Sequence, residues 1–228
     1  MKRIIVLWVV LLCTSCSSSK FFTSGVHPFE IDEMIKIEPV SFITFIESGN
    51  RGSYNEDISQ YSEMVLNEAL ESFRDDLRLS SEEIYTIDDE ERNELVQEMD
   101  FLISSAERNK KKYNIEITPL VESLLEEFDQ RFGLIILQDG FTRVKGNYGR
   151  QVATSIGLGI LTGVLTGVSF YNTPIKASST LHVIIVDNQE KNVAFYNKSV
   201  LQNKEPTEIE NITKQLMMIF EKYFWGKR

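Results

Sequence analysis

Apolar and polar positions change period along the chain, and each change marks an element. From Val40 to Ile46, Phe42, Ile43, Phe45 and Ile46 form a β-prone run that ends in the loop signal Gly49-Asn50-Arg51-Gly52, so the first core strand is expected there. Ile58, Tyr61, Val65, Leu66, Ala69, Leu70, Phe73 and Leu77 then recur at steps of three and four, the pattern of an amphipathic helix laid on a sheet. Ser53 or Asn55 can cap its start, where Glu56 and Asp57 suit the positive end of the helix dipole. Ile84-Tyr85-Thr86-Ile87 is expected as a short second strand. A second helix opens on Asp88-Asp89-Glu90-Glu91, carries Leu95, Met99, Leu102, Ile103 and Ala106 on one face, and closes at Lys110-Lys111-Lys112.

Thr118-Pro119 supplies an N-cap and a first-turn proline for a third helix, with Leu120, Leu124, Leu125, Phe128 and Phe132 as its buried stripe and Gly133 as its stop. Leu134 to Leu137 reads as a strand buried on both faces, with a bend at Gln138-Asp139-Gly140 before Phe141 to Val144. Leu181 to Val186 and Val193 to Leu201 form a hairpin about the polar turn Asp187 to Asn192. Thr207-Glu208-Ile209-Glu210 is a capping-box pattern leading a last helix, in which Ile209, Ile212, Leu216, Ile219, Phe220 and Tyr223 share a face. This order predicts the α/β class, with a mixed sheet of about four to five strands packed by three to four helices. A Gly-rich apolar insertion, residues 146–176, is expected between core strands, within a single domain spanning 40–228.

The insertion has two competing periods. Gln151 to Ile175 carries no charged residue and lies between Arg150 and Lys176. Ser155, Gly159, Gly163 and Gly167 recur every fourth position, a small-residue stripe that lets another helix approach closely, while Val152 to Phe170 also alternates at two-residue steps as a strand would. One helix over this stretch would be about 37 Å long, enough to cross a bilayer, yet a single crossing would separate strands that must share a sheet. A re-entrant or hairpin element is therefore expected, helical in preference to β, contacting lipid or a copy of itself through Ser155, Gly159, Gly163 and Gly167. The competing reading is a Gly-rich loop or helical hairpin folded over the protein's own core.

Composition narrows the partners. With 228 residues, 42% apolar content and a formal charge of −10, the chain can build one well-packed core and would repel a nucleic acid. Lys2-Arg3, the apolar run Ile4 to Leu12, and Thr14-Ser15 before Cys16 read as an export signal too short to span a bilayer. The pattern resembles the lipobox of bacterial lipoproteins, which implies lipid attachment at Cys16; a secretory signal cut elsewhere, or a short anchor, is the alternative. Residues 1–15 are then the signal peptide, and 16–39 a lipidated amino terminus and spacer, Ser-rich at first and broken by Gly25, Pro28 and Pro39. Cleavage there discards Cys13, removes any internal disulfide and leaves 22 basic against 34 acidic side chains, so lipid rather than charge would hold the body at a membrane.

Little else suggests chemistry. His27 and His182 have no metal-ligand spacing, no cysteine is spare for a thiolate site, and the nucleophile-elbow, P-loop and dinucleotide patterns are absent. Glu126 and Glu127 are sequence neighbours and project in different directions, which disfavours a carboxylate pair. No catalytic residue, metal or cofactor is expected.

The order of elements, with Val40-Ser41-Phe42-Ile43-Thr44-Phe45, Phe132-Gly133-Leu134-Ile135-Ile136-Leu137 and the Leu181 to Asp187 strand with its hairpin, resembles a group of bacterial envelope domains. The group comprises the curli-secretion channel lipoproteins, the lipoprotein activators of peptidoglycan synthases and the amino-terminal domain of the Tol-system propeller protein. The resemblance implies a non-enzymatic docking or assembly module with a protein partner or copies of itself; with lipid on Cys16, the protein is expected at the outer membrane, facing the periplasm. An oligomeric channel-forming secretion lipoprotein and an envelope enzyme with an unrecognised site are the alternatives.

Overall fold

The computed structural model describes residues 22–48, 51–86, 88–108, 114–144, 168–170 and 175–226. Among these, nine strands form one mixed sheet: β1 (Phe22–Thr23), β2 (Met34–Ile37), β3 (Val40–Ser48), β4 (Arg51–Tyr54), β5 (Leu79–Ile84), β6 (Phe132–Arg143), β7 (Val168–Phe170), β8 (Ser178–Asp187) and β9 (Asn192–Gln202). Five helices accompany them: α1 (Glu56–Glu71), α2 (Arg74–Leu77), α3 (Asp89–Arg108), α4 (Pro119–Glu127) and α5 (Ile209–Phe220). The α/β class is as expected, with a wider sheet. Strands run in the order β1-β9-β8-β6-β3-β4-β7, with β2 also beside β6 and β5 outside β2.

The central strand is β6, antiparallel to β8 and parallel to β2 and β3. Residues of β6, β8 and β9 alternate between two cores. Ile135, Leu137 and Ile184 face α3 and α4 with Leu95, Met99, Leu102 and Leu125. Leu134, Ile136, Leu181, Val183 and Phe195 face α1 and α5 with Leu66, Leu70, Ile212, Leu216 and Phe220. Each such side chain contributes roughly 1.5–3 kcal/mol when fully buried, so the sheet is the organising layer.

Several boundaries differ from the sequence expectation for local reasons. Phe132 and Gly133 begin β6 instead of ending α4, because Asp129 at φ 51 takes the left-handed position after the helix and Gln130 N–H closes onto Leu125 O at 2.9 Å. No bend occurs at Gln138-Asp139-Gly140: β6 runs straight through, and a Cβ at Gly140 would stand 2.3 Å from the Ser178 carbonyl oxygen. The second strand is β5, ahead of the expected Ile84–Ile87, and the first helix breaks after Glu71, leaving α2 as a separate turn. Asn55 caps α1 through Ile58 N–H at 2.9 Å. The capping box at Thr207 does not form; α5 starts at Ile209 after Glu208, which makes no side-chain cap.

The stretch expected as a spacer supplies β1 and β2, so the sheet begins before Val40. All four residues of β2 are buried. Lys36 pairs with Leu134 and Val40 with Leu137, so four steps along β2–β3 match three along β6, and the extra residue is absorbed at Glu38-Pro39, where proline has no N–H to offer. Lys36, 3% exposed, is neutralised by Glu83 at 2.9 Å and accepted by Asn67 at 2.7 Å. Past this bulge the outer neighbour changes from β5 to β4. In the notch between them, α1 receives the strand's N–H groups: Ser41 donates to Glu63 Oε1 at 2.8 Å and Ile43 to Ser59 Oγ at 2.9 Å.

Candidate functional site

The two ends of the sheet are built differently. At one, the insertion end, β6 finishes at Arg143, β9 at Gln202, and β8 starts at Ser178. The chain leaves there with Val144 N–H bonded to Ile46 O at 3.1 Å, and is back on the same sheet at β7, where Val168 pairs with Ser53 and Phe170 with Arg51. Arg143 Nε donates to Ile175 O at 3.1 Å, Lys176 N–H to Asn203 Oδ1 at 3.1 Å, and Ile46, Phe141 and Ile175 close a small apolar cluster. Residues 168–170, inside the uncharged stretch, are thus a sheet strand rather than part of the favoured helical form, and residues 151–167 and 171–174 lie outside the described residues. No described helix is long and apolar enough to cross a membrane.

The amino-terminal lead points to the same end. β1 is antiparallel to β9, with Phe22 opposite Tyr196 and Thr23 opposite Phe195, so the Phe22 end of β1 faces the Gln202 end of β9. Cys16, Ser155, Gly159, Gly163 and Gly167 lie outside the described residues, as do the signal segment 1–15 and Lys110–Lys112.

Two buried polar networks lie back to back through β6, β8 and β9. Beneath α1 and α5, Gln138 accepts from Ser41 Oγ and Ser62 Oγ at 3.1 and 2.9 Å, and donates to Ser179 Oγ and Pro206 O at 3.1 and 2.7 Å. Ser179 Oγ donates to Gln215 Oε1 at 2.9 Å, and Gln215 Nε2 to the Ser179 and Ser199 carbonyls at 3.1 and 2.9 Å. Ser62 Oγ also lies 3.0 Å from Pro206 O, so its single hydrogen is shared between that carbonyl and Gln138, and the network of neutral groups ties the helices to the sheet.

On the face beneath α3 stands a chain of ionisable groups that sequence reasoning missed. His182 Nε2 lies 3.3 Å from Asp139 Oδ2 and Nδ1 lies 3.1 Å from Tyr196 Oη, which meets Glu107 Oε1 at 2.9 Å; Lys198 Nζ also reaches Glu107. Burial, then the neighbouring Glu107, holds the Tyr196 phenol far above its ordinary value, so it stays protonated. Burial works to raise Glu107, but hydrogen bonds from Lys198 and Tyr196 outweigh it and keep that carboxyl lowered. A carboxylate stands at each end of the chain, and neither is a nucleophile paired with a base as acyl transfer requires. The sequence signal was the shared strand phase of Asp139, His182, Tyr196 and Lys198, which becomes readable only once the register is known. Among the described residues, no group of three or more His, Cys, Asp or Glu is placed to hold a metal ion.

Comparison with known proteins yields no family. No family model matches the chain, and no curated protein does. Among solved structures, a PelC dodecamer from Paraburkholderia phytofirmans aligns with 90% of this chain and 92% of its own at 7% identity and a TM-score of 0.35. A point-variant PelC dodecamer from the same organism aligns with 89% and 94% at 6% identity and the same TM-score. Likenesses this slight assign neither a family nor a function.

The opposite, hairpin end is sealed by its own charges. Asp187, fully buried, receives Arg131 Nε and Nη2 at 3.1 and 2.8 Å and the N–H groups of Gln189 and Glu190 at 3.0 and 3.3 Å. A surface groove of about 290 Å³ there is lined by Leu125, Glu126, Asp129, Gln130, Arg131, Asn188 and Gln189, and its one cation is already held by Asp187.

Proposed function

We propose that the protein is a lipid-anchored docking or assembly module of the bacterial envelope whose insertion end faces the bilayer. One observation carries this reading: the Phe22 end of β1, the Arg143 end of β6, the Phe170 end of β7 and the Ser178 end of β8 all lie at, or are directed toward, the same end, although β7 is entered at Val168 from the other side. A lipid on Cys16 and an uncharged run flanked by Arg143, Lys145, Arg150 and Lys176 then address the same surface, where basic flanks suit anionic headgroups. Replacing Gly159, Gly163 and Gly167 with Leu, in a chain also carrying Cys16→Ala, tests it. The variant is expected to lose the liposome flotation or the self-association, by sedimentation, of the Cys16→Ala parent. Unchanged behaviour in both assays overturns the reading.

A second reading, an oligomeric channel, is favoured by β7, because that strand continues the two-residue alternation from Val152 to Phe170. It requires conductance across planar bilayers, which the docking reading does not.

A further inference from the structure

The chain Asp139–His182–Tyr196–Glu107 is one hydrogen short. Its contacts at 3.3, 3.1 and 2.9 Å each join two electronegative atoms, and each needs a hydrogen between them. Two ionised carboxylates, a neutral imidazole and a phenol bring two hydrogens, one on the ring and one on the phenol oxygen. If the phenol donates to Glu107, the ring must donate from Nδ1, and a bare Nε2 faces the Asp139 carboxylate. If the ring donates from Nε2 to Asp139, the phenol must donate to Nδ1, and its oxygen faces Glu107 with nothing between. His182 and Tyr196 are 4% and 6% exposed, so an unmatched acceptor on either is costly, while the carboxylates they face, Asp139 and Glu107, are 30% and 38% exposed.

We propose that the fold binds a third proton at this site, carried by His182 as an imidazolium between Asp139 and Tyr196, and that this proton latches α3 onto β6, β8 and β9. Every contact is then satisfied in one direction: His182 donates to Asp139 from Nε2 and to Tyr196 from Nδ1, and Tyr196 donates to Glu107. The charges around the ring agree with this. Asp100, Glu107 and Arg108 act on the site from α3, Asp139 from β6, and Lys198 from β9, while Ser104 hydrogen-bonds Asp100. With the imidazolium present, three cations stand against three carboxylates; without it, one carboxylate has no partner. Asp100, 8% exposed, is raised by burial, and the charge on His182 works against that rise. The inference rests on these contacts alone and stands whatever the insertion end binds.

The test is the imidazole ¹⁵N spectrum of the intact protein at about pH 7.5, with the His182 signals assigned by their loss in His182→Gln and the bare-nitrogen and protonated-nitrogen shifts well resolved. Both His182 nitrogens are expected to be protonated. Tyr196→Phe removes two of the contacts, and a neutral ring donating from Nε2 then satisfies the remaining one, so this variant is expected to show one protonated and one bare nitrogen. Should it fail to fold, Glu107→Gln serves instead, since its amide supplies the missing hydrogen and the ring is again expected to be neutral. A bare nitrogen in the unmodified protein, or a doubly protonated ring in the variant, overturns the proposal.

Discussion

The hairpin end and the insertion end of the sheet use polarity in opposite ways. At the hairpin end the charged groups bind one another: Asp187 holds Arg131 and two turn N–H groups, while Lys191 lies 2.7 and 2.9 Å from Glu122 and Glu126. The segment beside it adds Ile117 N–H to Lys191 O at 3.2 Å and Val193 N–H to Ile115 O at 2.8 Å. At the insertion end, Arg143 donates to a backbone carbonyl, Thr142 Oγ1 pairs with Glu205 at 2.6 Å, and the strands give way to a run without charge. The fold therefore accounts for the residues at the first end. Of the uncharged run at the second, Val168–Phe170 and Ile175 lie among the described residues, and these pair with β4 and pack on Ile46 and Phe141.

The largest expected effect breaks the hairpin end alone. Asp187→Ala removes a buried carboxylate with four hydrogen bonds, and a loss of about 2–3 kcal/mol in urea denaturation is expected, with liposome flotation of the folded protein unchanged. A fall in flotation under conditions where the variant remains folded would show that the two ends are not separate.

A smaller effect comes from acid. Hydrogen bonding to Arg74 lowers Glu71; for Glu83, burial pushes upward but the bonds from Tyr85 and Lys36 win, and it too is lowered. The stabilisation from these depressed carboxyls is complete above their unfolded values near pH 4.3 and is lost as pH falls through the folded ones. Glu71 is 44% exposed, so solvent screens much of its share. Hydrogen exchange should therefore show β2 and β5 losing protection by about tenfold more than β8 between about pH 6 and about pH 3. Equal loss along the sheet would place the acid-sensitive pairs elsewhere.

What the sequence revealed was whatever local period could carry. Strands β3, β8 and β9 and the helices α1, α3 and α5 show runs of period two or three to four, and these elements formed near their expected positions. β2 was hidden because Met34-Ile35-Lys36-Ile37 is buried on both faces and shows no alternation, and because Lys36 is tolerable inside only with Glu83 and Asn67 beside it. The ionisable chain was hidden for a related reason. His182 meets partners 43 and 14 residues away in sequence, and Tyr196 meets Glu107 across 89, so the site exists only after the strand register is set. In the uncharged stretch two periods share the same residues, and among the described residues there Val168–Phe170 pair with β4 as a strand.

The central claim is the orientation of the sheet at a membrane. β8 runs ten residues between the two ends, about 33 Å at strand spacing. Single fluorescent labels on the full-length protein mixed with liposomes, at Lys204→Cys on the insertion end and Gln189→Cys on the hairpin end, report distance from a bilayer through quenching by brominated lipid. Both positions are exposed. The account predicts strong quenching at 204 and little at 189; equal quenching at the two, or stronger quenching at 189, would contradict it.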